Sequence, residues 1–190
     1  MILDVEILKL IDDISNVKDF DDSYSFLTML EEDSRFTQIS SLKYFYKGYI
    51  IENMLQVYSE VYVQKLKFIN TLEITSAPKF IDYIKCGQGE SFIITFLPGC
   101  EDSLPLPYSE FSGTVTDLAK KTFLEDMRKL AEYKAIHPYA AKDLNYWEVS
   151  PKDGHIMLKD WEALSRIEND TELQEMIKSI EEKLYNNVKI

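Results

Sequence analysis

No glycine precedes Gly48, and the 190-residue chain holds only six glycines and six prolines. A glycine-rich loop that lets backbone N–H groups close on a phosphate is thereby excluded from everything before that position. Cysteine is scarcer still: Cys86 and Cys100 are too few and too far apart for a metal cluster or a disulfide framework, and plain thiols are expected. Bases are outnumbered, 21 against 33 acids, and the net charge of −12 is spread along the chain, which disfavours nucleic acid as a partner. No apolar run approaches the roughly 20 residues needed to span a bilayer, so no membrane association is expected. The opening "MILDVEILKL" carries acids where a signal peptide carries bases. The expected location is cytoplasmic, in the protein's own cell or in a recipient host cell.

What is present is the composition of an ordinary globular protein, 45% hydrophobic and 28% charged. The length suits one domain or one small two-lobed unit. Residues 1 to about 35 read as helical, with Ile7, Leu8, Ile11 and Ile14 on one stripe and Phe26, Leu27 and Leu30 on another, separated by the polar break "SNVKD". The aromatic and β-branched run "RFTQISSLKYFYKGYII" favours strands over 35–51, with a helix as the alternative. Tyr58, Val61, Tyr62, Lys65, Leu66 and Ile69 recur at the spacing of an amphipathic helix that ends before Pro78. Two runs, Lys79 to Lys85 and Ser91 to Leu97, flank Gly-Gln-Gly and predict a hairpin closed by Pro98-Gly99. Residues 100–115 read as a linker, and a second long helix is predicted over about Thr116 to Lys134, burying Phe123, Met127, Leu130 and Ala131. A further hairpin, "YWEV" and "HIML" around "SPKDG", precedes a last helix whose start at Thr171-Glu-Leu-Gln174 fits a capping box.

The stretch "HPYAAKDLNYWEVSPKDGHIMLKDWEAL", His137 to Leu164, gathers both histidines, both tryptophans and an Asn-hairpin-Asp-Trp-Glu run. Together with the preceding "FIITFLPG" and the long helix, this order resembles the protein-kinase-like fold, nearest to the aminoglycoside phosphotransferase and choline kinase branch and to minimal bacterial effector kinases. The likeness covers about Val57 to Leu164, and the 15 positions from Asn145 to Asp160 are close to the family's spacing. It implies an α+β, two-lobed fold with a reduced N-lobe and a curtailed C-lobe. A helical extension plus an N-lobe-like region would occupy 1–99 and a C-lobe-like region 100–190, as one compact unit. It also implies roles for particular residues. Asn145 and Asp160 would be metal ligands, and Glu60, with Lys47 or Lys43 on a strand ahead of it, would make the nucleotide-binding pair.

Position 140, where the family places the base that accepts the hydroxyl proton, holds alanine here. Counting from His137 instead puts Tyr139 at the base and Leu144 at the asparagine. Asp143 is the nearest substitute for a catalytic carboxylate. The expectation is a degenerate kinase-like protein that works chiefly by binding another protein, with Mg and ATP as cofactors only if a nucleotide site is retained. Two alternatives stand beside it: an active minimal ATP-dependent phosphotransferase, and an acidic adaptor, inhibitor or toxin-neutralising protein unrelated to kinases. Each residue also has a plainer reading. Asp160 suits a helix N-cap, Asn145 a loop closure, Glu60 a solvated helix face, His137 a cation at a helix C-terminus, His155 an exposed strand position, and Trp147 and Trp161 the core.

Overall fold

The protein is α+β, and the computed structural model describes residues 4–186. Two helices open it: α1 (Val5–Ser15), whose N-cap Asp4 accepts from the Glu6 N–H, and α2 (Phe20–Glu32), whose N-cap Asp19 accepts from the Asp22 N–H. Asp caps of this kind satisfy N–H groups that a helix start leaves free. They explain why the polar break "SNVKD" divides one apolar region into two helices.

Five antiparallel strands follow: β1 (Thr37–Ser40), β2 (Lys43–Tyr46), β3 (Tyr49–Leu55), β4 (Lys79–Lys85) and β5 (Glu90–Phe96), in the spatial order β1-β2-β3-β5-β4. The β2–β3 turn is Lys47-Gly48, both at positive φ, and a Cβ on Gly48 would lie 2.8 Å from the Phe96 ring. The period of two in β3 decides the rest. Tyr49, Ile51 and Asn53 face one way, opposite Phe96, Ile94 and Phe92 of β5, while Ile50 and Glu52 face the other, opposite Thr95 and Ile93. On the first face Tyr49, Ile51, Phe92 and Ile94 bury against Ile7, Leu10, Ile14, Phe26 and Leu30 of α1 and α2. The second face meets α3 (Gln56–Thr71), which leaves β3 without an intervening loop and buries Tyr62, Val63, Leu66 and Ile69.

The predicted long helix is α4 (Asp117–Glu132), capped by Thr116, and α5 (Asp170–Asn186) packs beside it. Helices α3, α4 and α5 share one apolar cluster with Ile93, Trp147, Ile156, Leu158 and Trp161, so the sheet and the C-terminal part have a common core. Small strands complete the fold. Leu106–Pro107 (β6) pairs with Trp147–Val149 (β8), which pairs with Ile156–Leu158 (β9); Ala135–Ile136 (β7) pairs with Ser165–Arg166 (β10).

Two local expectations need correction. Residues 100–115 are not only a linker, because Leu106 and Pro107 add a third strand to the β8–β9 hairpin. The cap of α5 is Asn169, whose side-chain Oδ1 accepts from the N–H groups of Thr171 and Glu172 at 3.0 and 3.3 Å, in place of a box starting at Thr171. Among the described residues no helix is long and apolar enough to cross a membrane.

Candidate functional site: an acidic cleft under the sheet

A cleft of about 260 Å³ opens between the second face of the sheet and the β8–β9 hairpin. Each wall follows from the local sequence. The even positions of β3 supply Ile50 and Glu52, and the odd pairing of β5 supplies Thr95. Helix α3 contributes Tyr62, β8 contributes Glu148, β9 contributes Leu158, and the chain leaving the hairpin contributes Lys159, Asp160 and Trp161.

Asp160 takes the left-handed conformation, φ 58° and ψ 48°, which Asp adopts more readily than most residues. It stands at the N-cap position of the short 3₁₀ turn Trp161–Ala163, but its side chain makes no cap bond there. The backbone there is pinned from below. The Nε2 of His137 lies 2.9 Å from the Lys159 carbonyl and 3.1 Å from the Asp160 carbonyl; both oxygens can only accept, so Nε2 carries the proton. His137 is fully buried in the chain after β7, and its Nδ1 has no partner among the described residues. Burial pulls its pKa below the ordinary histidine range. A cation exposed at a helix end is therefore the wrong description of His137. His155 is half-buried just before β9, with Nε2 2.7 Å from the Thr75 carbonyl. Trp147 and Trp161 are core residues, with their indole N–H groups donating to the carbonyls of Ala140 and Leu158.

Of the other candidate site residues, Asn145, Asp143, Glu60 and Lys47 do not line this cleft. Asn145 is exposed in a 3₁₀ turn, Leu144–Tyr146, and Asp143 is the N-cap of that turn, accepting from the Asn145 N–H at 2.9 Å. Glu60 pairs with Lys85 of β4 at 2.5 Å on the exposed side of α3. Lys47 sits in the β2–β3 turn, 3.5 Å from Asp4 and over the Tyr46 ring. Lys43, by contrast, does reach the cleft, where it pairs at 3.2 Å with its register partner Glu52. Sequence reasoning passed over Glu52, although a lone acid at an even position of an apolar strand signals a lined cavity. It also passed over Glu148 and Thr95, and it read Tyr62 as simple core.

The electrostatics of the cleft are acidic. Burial raises the pKa of Glu148, with Asp160 adding to the effect and Lys159 and Lys43 opposing it. Glu162, held near α3 by a bond from Lys65 to its carbonyl, is raised by burial and by Asp160 and Glu52. The Tyr62 phenol is pushed well up by burial and then by Glu52, Glu162 and Asp160. The donor set does not suit a divalent metal, since among the described residues no three His, Cys, Asp or Glu side chains converge on one point. Cys86 and Cys100 are free, buried and shifted to about 11 and about 12 by burial, which keeps both as unreactive thiols near neutral pH. No family model and no curated protein matches this chain.

Proposed function

We propose that this protein is a degenerate kinase-like scaffold that acts by binding another protein and does not transfer phosphate. The observation that carries the reading is the placement of Glu52. A working kinase cleft holds its phosphates with a glycine-rich turn between the first two strands and a lysine on the third, paired to an acid on the following helix. Here Ser41-Leu42 joins β1 and β2 without a glycine, β3 has no lysine, and the one charged side chain it sends into the cleft is a carboxylate, Glu52. The kinase-like part of the reading is supported by the strand order, by α3 leading from β3 towards β4, and by Asp160 entering the cleft from the end of the β8–β9 hairpin.

Binding to a protein is supported by the surface. Val57, Tyr58 and Val61, on one face of α3, are all more than half exposed, and Leu55 beside them is 53% exposed. Large apolar side chains left together in water mark contact surfaces more often than chance.

The test is enzymatic. With radiolabelled ATP and magnesium, hydrolysis and autophosphorylation are expected at background, and Asp160→Ala is expected to change neither. Magnesium-dependent phosphorylation of any protein, abolished in Asp160→Ala, overturns the proposal in favour of an active phosphotransferase.

A further inference from the structure

We propose that the cleft binds a guanidinium group carried on an apolar stem, with the carboxylates of Glu148 and Asp160 and the hydroxyls of Tyr62 and Thr95 as acceptors. This rests on the reading that the cleft does not take a polyphosphate, and it names what occupies the cleft instead.

Size is the first argument. At about 260 Å³ the cleft lies below the roughly 300–1,000 Å³ of pockets that enclose a drug-sized ligand. It suits a group the size of one long side chain.

Charge is the second. The lining carries three carboxylates, Glu52, Glu148 and Asp160, against two lysines, Lys43 and Lys159, with Glu162 close by. Glu52 is engaged by Lys43, and the Lys159 ammonium lies 5.6 Å from the centre of the Tyr146 ring. Glu148 and Asp160 have no ion-pair partner among the described residues. An anion is repelled from such a cleft and a cation is attracted.

The third argument is a pair of unanswered hydroxyls. Tyr62 is 7% exposed and Thr95 is 5% exposed, both line the cleft, and neither hydroxyl has a hydrogen-bond partner among the described residues; neither oxygen is fully enclosed, so both are open to whatever fills the cleft. A hydroxyl on a cavity wall with no protein partner is free to bond to a ligand, as donor or as acceptor. Two hydroxyl oxygens and two carboxylates offer acceptors from several directions, which suits a donor with five N–H bonds in one plane. A guanidinium is also weakly hydrated and stacks on aromatic rings, and Trp161 lines the same cavity. Ile39, Ile50, Leu97 and Leu104 leave an apolar path for the stem.

The same chemistry is carried by a free small molecule and by an arginine side chain on a partner protein. Calorimetric titration with butylguanidine, and with its neutral isostere butylurea, tests the site. Butylguanidine is expected to bind and butylurea is not. Glu148→Gln and Tyr62→Phe are each expected to weaken butylguanidine by about tenfold, the scale of one hydrogen bond to a charged group. Glu60→Gln, outside the cleft, leaves binding unchanged. A second arm compares acetyl-Ala-Arg-Ala-amide with its citrulline counterpart. Tighter binding of the arginine peptide assigns the source as a protein side chain, and binding of butylguanidine alone assigns a free guanidine; either result sustains the proposal. Equal response to the charged and neutral probes, no response to either, or indifference to both substitutions overturns it. Mg·ATP run in the same titration separates the two failures. Silent ATP with silent butylguanidine ends this proposal only, whereas tight ATP binding ends the reading on which it rests.

Discussion

Asp126→Ala is expected to lower the unfolding free energy by about 3–5 kcal/mol, from hydrogen bonds to a buried carboxylate of roughly 1.5–3 kcal/mol each and the cost of orphaned donors. Asp126 lies on the buried side of α4 and is 2% exposed. One carboxylate oxygen accepts from the N–H of Thr75 at 2.9 Å, the Thr75 hydroxyl at 3.0 Å and the N–H of Ser76 at 2.9 Å. That loop joins α3 to β4, and its own carbonyls are in use. Ser76 accepts from the Leu158 N–H, and Thr75 from His155. Alanine leaves two backbone N–H groups unpaired beneath the cleft and loosens the tie between sheet and hairpin. Asp126→Asn keeps an acceptor oxygen and is expected to lose less than half as much. Urea denaturation checks both. The midpoint should fall in the order wild type, Asn, Ala, with the slope unchanged. An alanine variant within about 0.5 kcal/mol of wild type, the range of ordinary surface changes, contradicts the account.

Trp147→Ala is the second large effect, with an expected loss of about 3–5 kcal/mol, which for a chain of this length lowers Tm by roughly 6–20 °C. The side chain is fully buried, 4.8 Å from the Phe123 ring centre and 5.5 Å edge-on to Tyr108. Its indole N–H donates to the Ala140 carbonyl at 3.0 Å, in the loop leading from His137 to the β8–β9 hairpin. Alanine therefore opens a cavity and strands a buried acceptor together. Trp147→Phe restores much of the volume and none of the hydrogen bond, so it should fall between the two. A scan in which the phenylalanine and alanine variants melt together shows that packing contributes little and the hydrogen bond carries the effect.

Both residues illustrate how far the sequence could be read. Periodicity located α3 and α4, because each has one buried face and one wet face and an apolar stripe at period 3.6 follows directly; the two hairpins were legible from short apolar runs flanking turn residues, since β5 and β9 are buried almost throughout. Asp126 also lay within that stripe, three residues after Phe123 and one before Met127, yet an acid there is interpretable only once its partners are known. They come from the α3–β4 loop, some 50 residues earlier in the chain. Strands β6, β7 and β10 have two residues each, too short for any period, and exist because their partners do. The site divides in the same way. Asp160 was legible from its spacing after the hairpin. Glu52, Tyr62, Thr95 and Glu148 come from four elements that only tertiary packing brings round one cavity. Lys47 and Glu60 were chosen by order along the chain, but the Lys47-Gly48 turn and the outward face of α3 point them elsewhere, to Asp4 and Lys85.

The central claim is that carboxylates occupy the place where a kinase-like cleft would hold phosphate, and thermal unfolding in magnesium with increasing ATP tests it most directly. With Glu52, Glu148 and Asp160 lining the cleft and no glycine in the β1–β2 turn, millimolar ATP is expected to lie near or below its dissociation constant and to stabilise little. The expected shift is at most about one or two degrees, since stabilisation grows only with the logarithm of ligand excess over the dissociation constant. A shift of many degrees at micromolar ATP, lost in Asp160→Ala, would show an intact nucleotide site and contradict the account.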